Sequence, residues 1–156
     1  MLTDATYQTQ ATFHYALRRF MHVSEENARA AGVTPTQYLL LLAVRGHPFY
    51  PHVAIGEIAE HLQISPHSAS LLVERAIKRL VDDQPAPLVV RVQDVADRRV
   101  HLVSLTPAGE EILTHIMTEN RRVLTAFDGI FHDMRVSLAA RITLSPPPGQ
   151  HKRATR

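Results

Sequence analysis

Apolar residues recur along most of this chain at the three- and four-residue intervals of an amphipathic helix, with one interruption past the middle. From about Thr6 to Ala31, the positions Phe13, Ala16, Leu17, Phe20 and Met21 predict a helix with one stripe to bury, stopped at Gly32. Thr34, Pro35 and Gln37 then stand directly before the run YLLLLAV. A threonine at the cap, a first-turn proline and a glutamine three positions after the cap predict a capping box that opens a buried helix. Gly46 and Pro48 end it, and the two prolines of HPFYPH, residues 47–52, forbid a regular element there.

From Val53 the pattern predicts two helices joined by a short turn. Ile55, Ile58, Ala59 and Leu62 share one face of the first; Ile64 is expected to plug the turn, Ser65 to cap the second helix and Pro66 to take its first position. The second helix is predicted to run to about Val81, with Ala69, Leu72, Val73, Ala76, Ile77 and Leu80 inward. His67, Ser68, Ser70, Leu71, Glu74, Arg75 and Lys78 occupy its other faces. QPAP, residues 84–87, is expected to be irregular, and the period then changes to two. LVVRVQ and VHLVSL alternate Arg91 and His101 with apolar neighbours around the polar DVADRR, which predicts a hairpin with a charged tip.

Thr106 and Pro107 open another helix, whose stripe of Ile112, Leu113, Ile116, Met117, Val123, Leu124, Phe127, Ile130 and Phe131 is long for one small domain. A shorter apolar segment follows from about Met134 to Leu144, and SPPPGQHKRATR is expected to be disordered. The predicted fold class is mainly α with a small β-hairpin wing, a winged helix-turn-helix. Its single domain spans 1–144, with a core at about 53–106, flanking helices at about 6–31 and 107–144, and a basic tail at 145–156.

Composition narrows the function classes. At 156 residues there is room for one domain, and 45% hydrophobic against 21% charged residues supplies enough apolar material for a core. The absence of cysteine excludes disulfide frameworks, zinc ribbons and thiol chemistry. No apolar run approaches about 18 residues, and MLTDATYQTQ has neither the basic start nor the apolar run of a signal peptide, so a cytoplasmic protein with no membrane partner is expected. Net charge is +2, yet without Lys152, Arg153 and Arg156 of the tail, 14 basic residues face 15 acidic ones, or −1. Nucleic-acid binding must therefore rest on a local motif.

Two rival chemistries find little support. Zinc on a helix usually takes histidines three or four apart, and the ten histidines contain no such pair; His47 and His52 share a loop and His132 adjoins Asp133, positions that suit surface residues. No metal or other cofactor is expected. G-x-S-x-G, P-loop and dinucleotide glycine patterns are absent, and His101 and Ser104, three apart in a strand, face opposite sides, so no enzymatic activity is expected.

A helix fits the major groove of DNA and presents its N-terminal residues to the base edges. There His67, Ser68 and Ser70 can donate or accept hydrogen bonds and Leu71 can touch a thymine methyl, while Arg75 and Lys78 lie farther along and can meet the phosphate backbone. A basic hairpin tip can reach the flanking minor groove. The plainer alternatives are a serine-rich helix cap and a solvated turn.

The stretch IGEIAEHLQISPHSASLLVERAIKRLV, followed by DRRVHLVSLTPAGEEIL, closely resembles the MarR family of dimeric bacterial transcription regulators. DRRVHLVSLTPAG, from Asp97 to Gly109, is the most specific piece, because it joins wing tip, second wing strand and capped helix in the family's order; the resemblance covers about Thr6 to Met134. It implies a sequence-specific regulator of double-stranded DNA, a ligand-responsive repressor. In the family, the arginine matching Arg99 enters the minor groove and the aspartate matching Asp97 orients it, leaving Arg98 for phosphate. A winged module that binds protein, as an antirepressor or scaffold, is the alternative.

One recognition helix covers too few base pairs for useful discrimination, so two copies on a palindrome are expected. The apolar stripes of the terminal helices exceed what the winged module can cover, which implies a twofold homodimer through them. The resemblance also implies a small aromatic or phenolic effector lodged between the dimer helices and the winged module. Arg18, His22, Tyr38 and Arg45 would line that pocket, ordinary helix-surface and core-edge roles being the alternative for the same four.

Overall fold

A computed structural model describes residues 3–95, 97, 100–129 and 132. It contains helices α1 (Asp4–Ala30), α2 (Pro35–Arg45), α3 (Ile55–Leu62), α4 (Pro66–Ile77) and α5 (Pro107–Ala126), with strands β1 (Val53–Ala54), β2 (Leu80–Val81), β3 (Gln84–Pro85), β4 (Val89–Gln93) and β5 (His101–Leu105). The chain divides into two compact units, one of residues 22–122 and one of the residues to 21 with those from 123. The predicted segment from Met134 to Leu144, the tail, and Ile130 and Phe131 lie outside the described residues.

In the unit of residues 22–122, local chemistry explains most helix ends. α1 stops at Gly32, whose φ of 76° is left-handed and suits a residue without a side chain. The Thr34 hydroxyl accepts from the Gln37 amide at 3.1 Å while the Gln37 side chain accepts from the Thr34 amide at 3.0 Å, the predicted capping box. α3 ends at Gln63 in the left-handed region, and Ser65 caps α4 by accepting from the Ser68 amide at 3.1 Å. The core gathers Leu40, Leu41 and Val44 of α2, Ile58 of α3, Val73 and Ala76 of α4, Leu88, Val89 and Val103 of the wing, and Leu113 and Ile116 of α5.

The three-stranded sheet has the order β1-β5-β4, all antiparallel, with Val53 opposite Val103 and Arg91 opposite Val103 on its other side. Five local expectations are corrected by the structure. Val53 and Ala54 form a strand rather than the start of a helix, because buried Val53 completes the sheet edge. α4 stops at Ile77 rather than near Val81: the Leu88 amide donates to the Ala76 carbonyl at 3.0 Å, the carbonyl that a continuing helix would have given to Leu80. Leu80 is 59% exposed instead of inward, and QPAP is not wholly irregular, since Gln84 and Pro85 pair with Val81 and Leu80. Ile64, expected to plug the turn, is 37% exposed.

The β2–β3 hairpin turns through Asp82 and Asp83, both at positive φ, as the tightest hairpin turns require. Arg79 holds its base, donating to the Ala86 carbonyl at 3.2 Å and to the Gly32 carbonyl at 3.1 Å.

In the other unit, α1 buries Ala16 but leaves Tyr7, Tyr15, Leu17 and Met21 exposed. Leu124 is 38% exposed, whereas Phe127 is only 6% exposed.

Candidate nucleic-acid interface

α4 turns one face to the core through Ala69, Val73 and Ala76, and this fixes what its opposite face presents. His67, Ser68, Leu71, Arg75 and Lys78 are exposed and Ser70 is half-buried. Pro66 and the Ser65 cap leave the first turn ordered, so the hydroxyls stand at the helix N-terminus, where the free amides and the helix dipole favour negative charge. The Ser68 hydroxyl is 2.8 Å from that of Ser65. Farther along, Leu71, Glu74, Arg75 and Lys78 line an open groove of about 330 Å³. Lys78 closes the helix as its C-cap rather than sitting within it.

The wing carries a residue that sequence spacing did not single out. Directly opposed residues of antiparallel strands point to one face, so Arg91 shares the inner face with buried Val103 and Val89, while Val90 and Val92 point to solvent. The Arg91 guanidinium thereby reaches α4 and donates from Nη2 to the Ser70 hydroxyl at 3.4 Å. Its Nε is buried without a partner. The signal in the sequence was the alternation itself, but alternation does not say which set of residues faces inward.

At the wing tip, the Asp94 amide donates to the Val100 carbonyl at 3.1 Å and the Val100 amide to the Asp97 carbonyl at 2.9 Å, closing the turn that places Asp97. The Asp97 amide lies 3.4 Å from an Asp94 carboxylate oxygen. Arg98 and Arg99 lie outside the described residues. At its base the wing runs into α5, where the Thr106 hydroxyl accepts from the Gly109 amide at 3.0 Å and donates to the Pro87 carbonyl at 2.7 Å.

Of the four residues considered for an effector pocket, Arg18 belongs to the unit that includes residues up to 21 and the others to residues 22–122. His22 is exposed beside Glu26 at 3.3 Å. Arg45 pairs with Glu110 at 3.3 Å and lies 4.4 Å from the centre of the Tyr50 ring. Tyr38 is buried, accepting from Asn120 Nδ2 at 3.1 Å and directing its hydroxyl to the Met117 sulfur. No hydrogen bond or ion pair joins any two of His22, Tyr38 and Arg45.

Asn120 was invisible to sequence reasoning. It is buried, donates also to the Ser24 hydroxyl at 2.9 Å and accepts from Asn27 Nδ2 at 2.9 Å, so one side chain ties α1, α2 and α5. At the start of α5, the Tyr50 hydroxyl donates to Glu110, and this bond, with burial and the Glu110 charge, raises the Tyr50 pKa against the opposing effect of Arg45. Among the described residues, no group of three or more histidine or acidic side chains is placed to hold a metal ion, and no helix is long and apolar enough to cross a membrane.

No family model matches the chain. Among curated proteins it is similar to the HTH-type transcriptional repressor MdtR of Bacillus subtilis, with 23% identity over 143 residues, 92% of this chain and 83% of that one. Among solved structures, a MarR family protein from Bacillus stearothermophilus superposes with a TM-score of 0.67 at 18% identity, covering 92% of this chain and 99% of that one. Bordetella bronchiseptica BpsR, described in terms of the regulation of its DNA binding by 6-hydroxynicotinic acid, gives a TM-score of 0.59 at 20% identity over 87% of this chain and 96% of that one.

Proposed function

We propose that this chain, which has the winged helix-turn-helix fold of MarR family proteins, is a sequence-specific double-stranded DNA-binding transcription regulator that acts as a repressor. The observation that carries the reading is α4 itself. Its core-facing side is apolar, and its free side offers His67, Ser68 and Ser70 at the N-terminal end and Arg75 and Lys78 farther along, all in one compact unit with the wing. A helix so divided can lay its N-terminal turn along base edges while its cations meet phosphates. Leu71 adds an apolar contact for a thymine methyl. In the wing, Arg99 enters the flanking minor groove, Asp97 orients it and Arg98 meets phosphate.

The protein is a homodimer on a palindromic operator. The exposed Tyr7, Tyr15, Leu17 and Met21 of α1 and the exposed Leu124 support this, since a free apolar surface of that kind is what a twofold interface covers. Phe127 is already buried within the chain, so Leu124→Glu is the cleaner probe of the interface. Sedimentation of the wild type as a monomer would refute the dimer. The likeness to BpsR supports a small aromatic effector, for which His22, Tyr38 and Arg45, all within residues 22–122, are the proposed polar contacts.

The wing tests the DNA reading. Arg99→Ala is expected to weaken operator binding by about 1–3 kcal/mol and lower the salt slope by about one, with circular dichroism and mass unchanged. Asp97→Ala is expected to act in the same direction, although it removes a negative charge near phosphate, because Arg99 loses its orientation. If Asp97→Ala tightens binding at every salt concentration and Arg99→Ala changes nothing, the wing does not read the minor groove, and a protein-binding module becomes the better account.

A further inference from the structure

The half-buried contact between Arg91 and Ser70 has a direction that chemistry fixes. A guanidinium has only donors and stays charged, so in the 3.4 Å pair the Ser70 oxygen must accept. Among the described residues, the Ser70 hydroxyl hydrogen has no acceptor within the protein, and no carboxylate lies within ion-pair distance of Arg91. Nor can Arg91 easily turn away. Its strand register puts it on the inner face with Val89 and Val103, and its buried Nε has no other partner to exchange for.

A free serine on a recognition helix can read either kind of base edge, because its hydroxyl rotates to donate or to accept. Arg91 biases that choice, because one of the two lone pairs is taken and the guanidinium charge beside the oxygen weakens the other as an acceptor while strengthening the hydroxyl as a donor. With one lone pair committed to Arg91, the favourable state presents the hydrogen outward. We propose that Arg91 is a specificity-determining residue of the interface, holding Ser70 as a donor so that it selects a base with a keto oxygen in the major groove, guanine or thymine, over one with an amino group, adenine or cytosine. Arg91 need touch no base to do this; it is a positioning residue that acts through Ser70.

The inference rests on the reading of α4 as the recognition helix, and the experiment separates the two. Double-stranded DNA libraries would be selected with the full-length wild type, Arg91→Met, Arg91→Lys, Ser70→Ala and the Ser70→Ala/Arg91→Met double variant, with folding checked by circular dichroism. The wild type is expected to enrich keto bases at one position in each half-site. Arg91→Met, which keeps the apolar stem but removes every donor, is expected to lower that keto-to-amino ratio roughly fivefold, the scale of one hydrogen bond, and leave preferences elsewhere in the site intact. Arg91→Lys retains a donor and is expected to retain the preference. In the Ser70→Ala background, where the preference is already lost, Arg91→Met should change it no further.

Arg91→Met weakening all sequences alike, with a lower salt slope and an unchanged base profile, would show a phosphate contact and overturn the proposal. So would a variant profile identical to wild type, or a loss of preference in Arg91→Met that persists in the Ser70→Ala background. Failure of the wild type to enrich any sequence would overturn the DNA reading itself. Should Arg91→Met fail to fold, Arg91→Lys decides alone: loss of the keto preference in a folded Arg91→Lys overturns the proposal, and its retention together with loss in Ser70→Ala supports it.

Discussion

Gly109 is the third residue of α5, where helix propensity alone would favour alanine by up to about 1 kcal/mol. The packing predicts the opposite sign. A Cβ at Gly109 would lie 2.1 Å from the Leu88 carbonyl oxygen, 3.1 Å from its carbon and 3.4 Å from Leu41 Cδ2. A side chain could swing aside, but a peptide group cannot, and the Leu88 peptide is tied at both ends. Its amide donates to the Ala76 carbonyl at the end of α4 and its carbonyl accepts from the Thr106 amide at the start of α5, both at 3.0 Å. Relieving the overlap needs a backbone shift of on the order of 1 Å, which strains or breaks one of those bonds in a place closed to water. Overpacking of this kind costs roughly 1–3 kcal/mol and a lost buried hydrogen bond about as much again. Less the propensity gain, Gly109→Ala should destabilise the protein by about 2–4 kcal/mol, lowering the melting temperature by on the order of 10 °C. Gly56 in α3 is the internal control, since a Cβ there has nothing within 4 Å; Gly56→Ala should be neutral or stabilising by up to about 1 kcal/mol. Thermal unfolding followed by circular dichroism checks both. Equal or higher stability of Gly109→Ala, or the same response at both sites, would refute the reasoning.

Asn120→Ala removes the shared partner of Asn27, Ser24 and Tyr38 and leaves their polar atoms poorly satisfied, so a loss of about 2–4 kcal/mol in urea unfolding is expected, and a change below about 0.5 kcal/mol would show the network to be dispensable. Because Tyr50 has a raised pKa in the fold, its bond to Glu110 contributes stability that is complete below the ordinary tyrosine value of 10.0 and is lost as pH rises through the folded value. Tyrosinate absorbance should show a late-titrating component that is lost in Tyr50→Phe, and the variant's stability should fall less steeply in alkali; a late component unchanged by the substitution would count against the bond.

What could be read from the sequence was what neighbours in sequence decide. The Thr34–Gln37 box and the Ser65 and Thr106 caps involve residues three apart, so residue types alone specify them. The end of α4 was misplaced because the Leu88 amide, a distant group, takes the Ala76 carbonyl and releases Leu80 from the helix. The same limit applies to the interface. His67, Ser68, Ser70, Arg75 and Lys78 follow from the helical period once the buried face is known, whereas Arg91 depends on how β4 pairs with β5, and a shift of one residue would have turned it to solvent. Asn120 reads as one more polar residue on a helix until partners nearly a hundred positions away close around it.

The hairpin held by Arg79 has a use outside recognition. Its clamps to Ala86 and Gly32 fix where the segment leaves α4 and where it rejoins the wing, while Leu80 to Pro85 between them lie exposed. Chain inserted at the Asp82–Asp83 turn would therefore enlarge a loop whose ends are already held, and the entropy of such a loop grows only with the logarithm of its length. A fluorescent label or small peptide tag carried there would sit between helix and wing in the sequence without altering the residues of either that are proposed to contact DNA. That makes this turn the natural attachment point for following the protein on DNA without modifying the surfaces proposed to bind it.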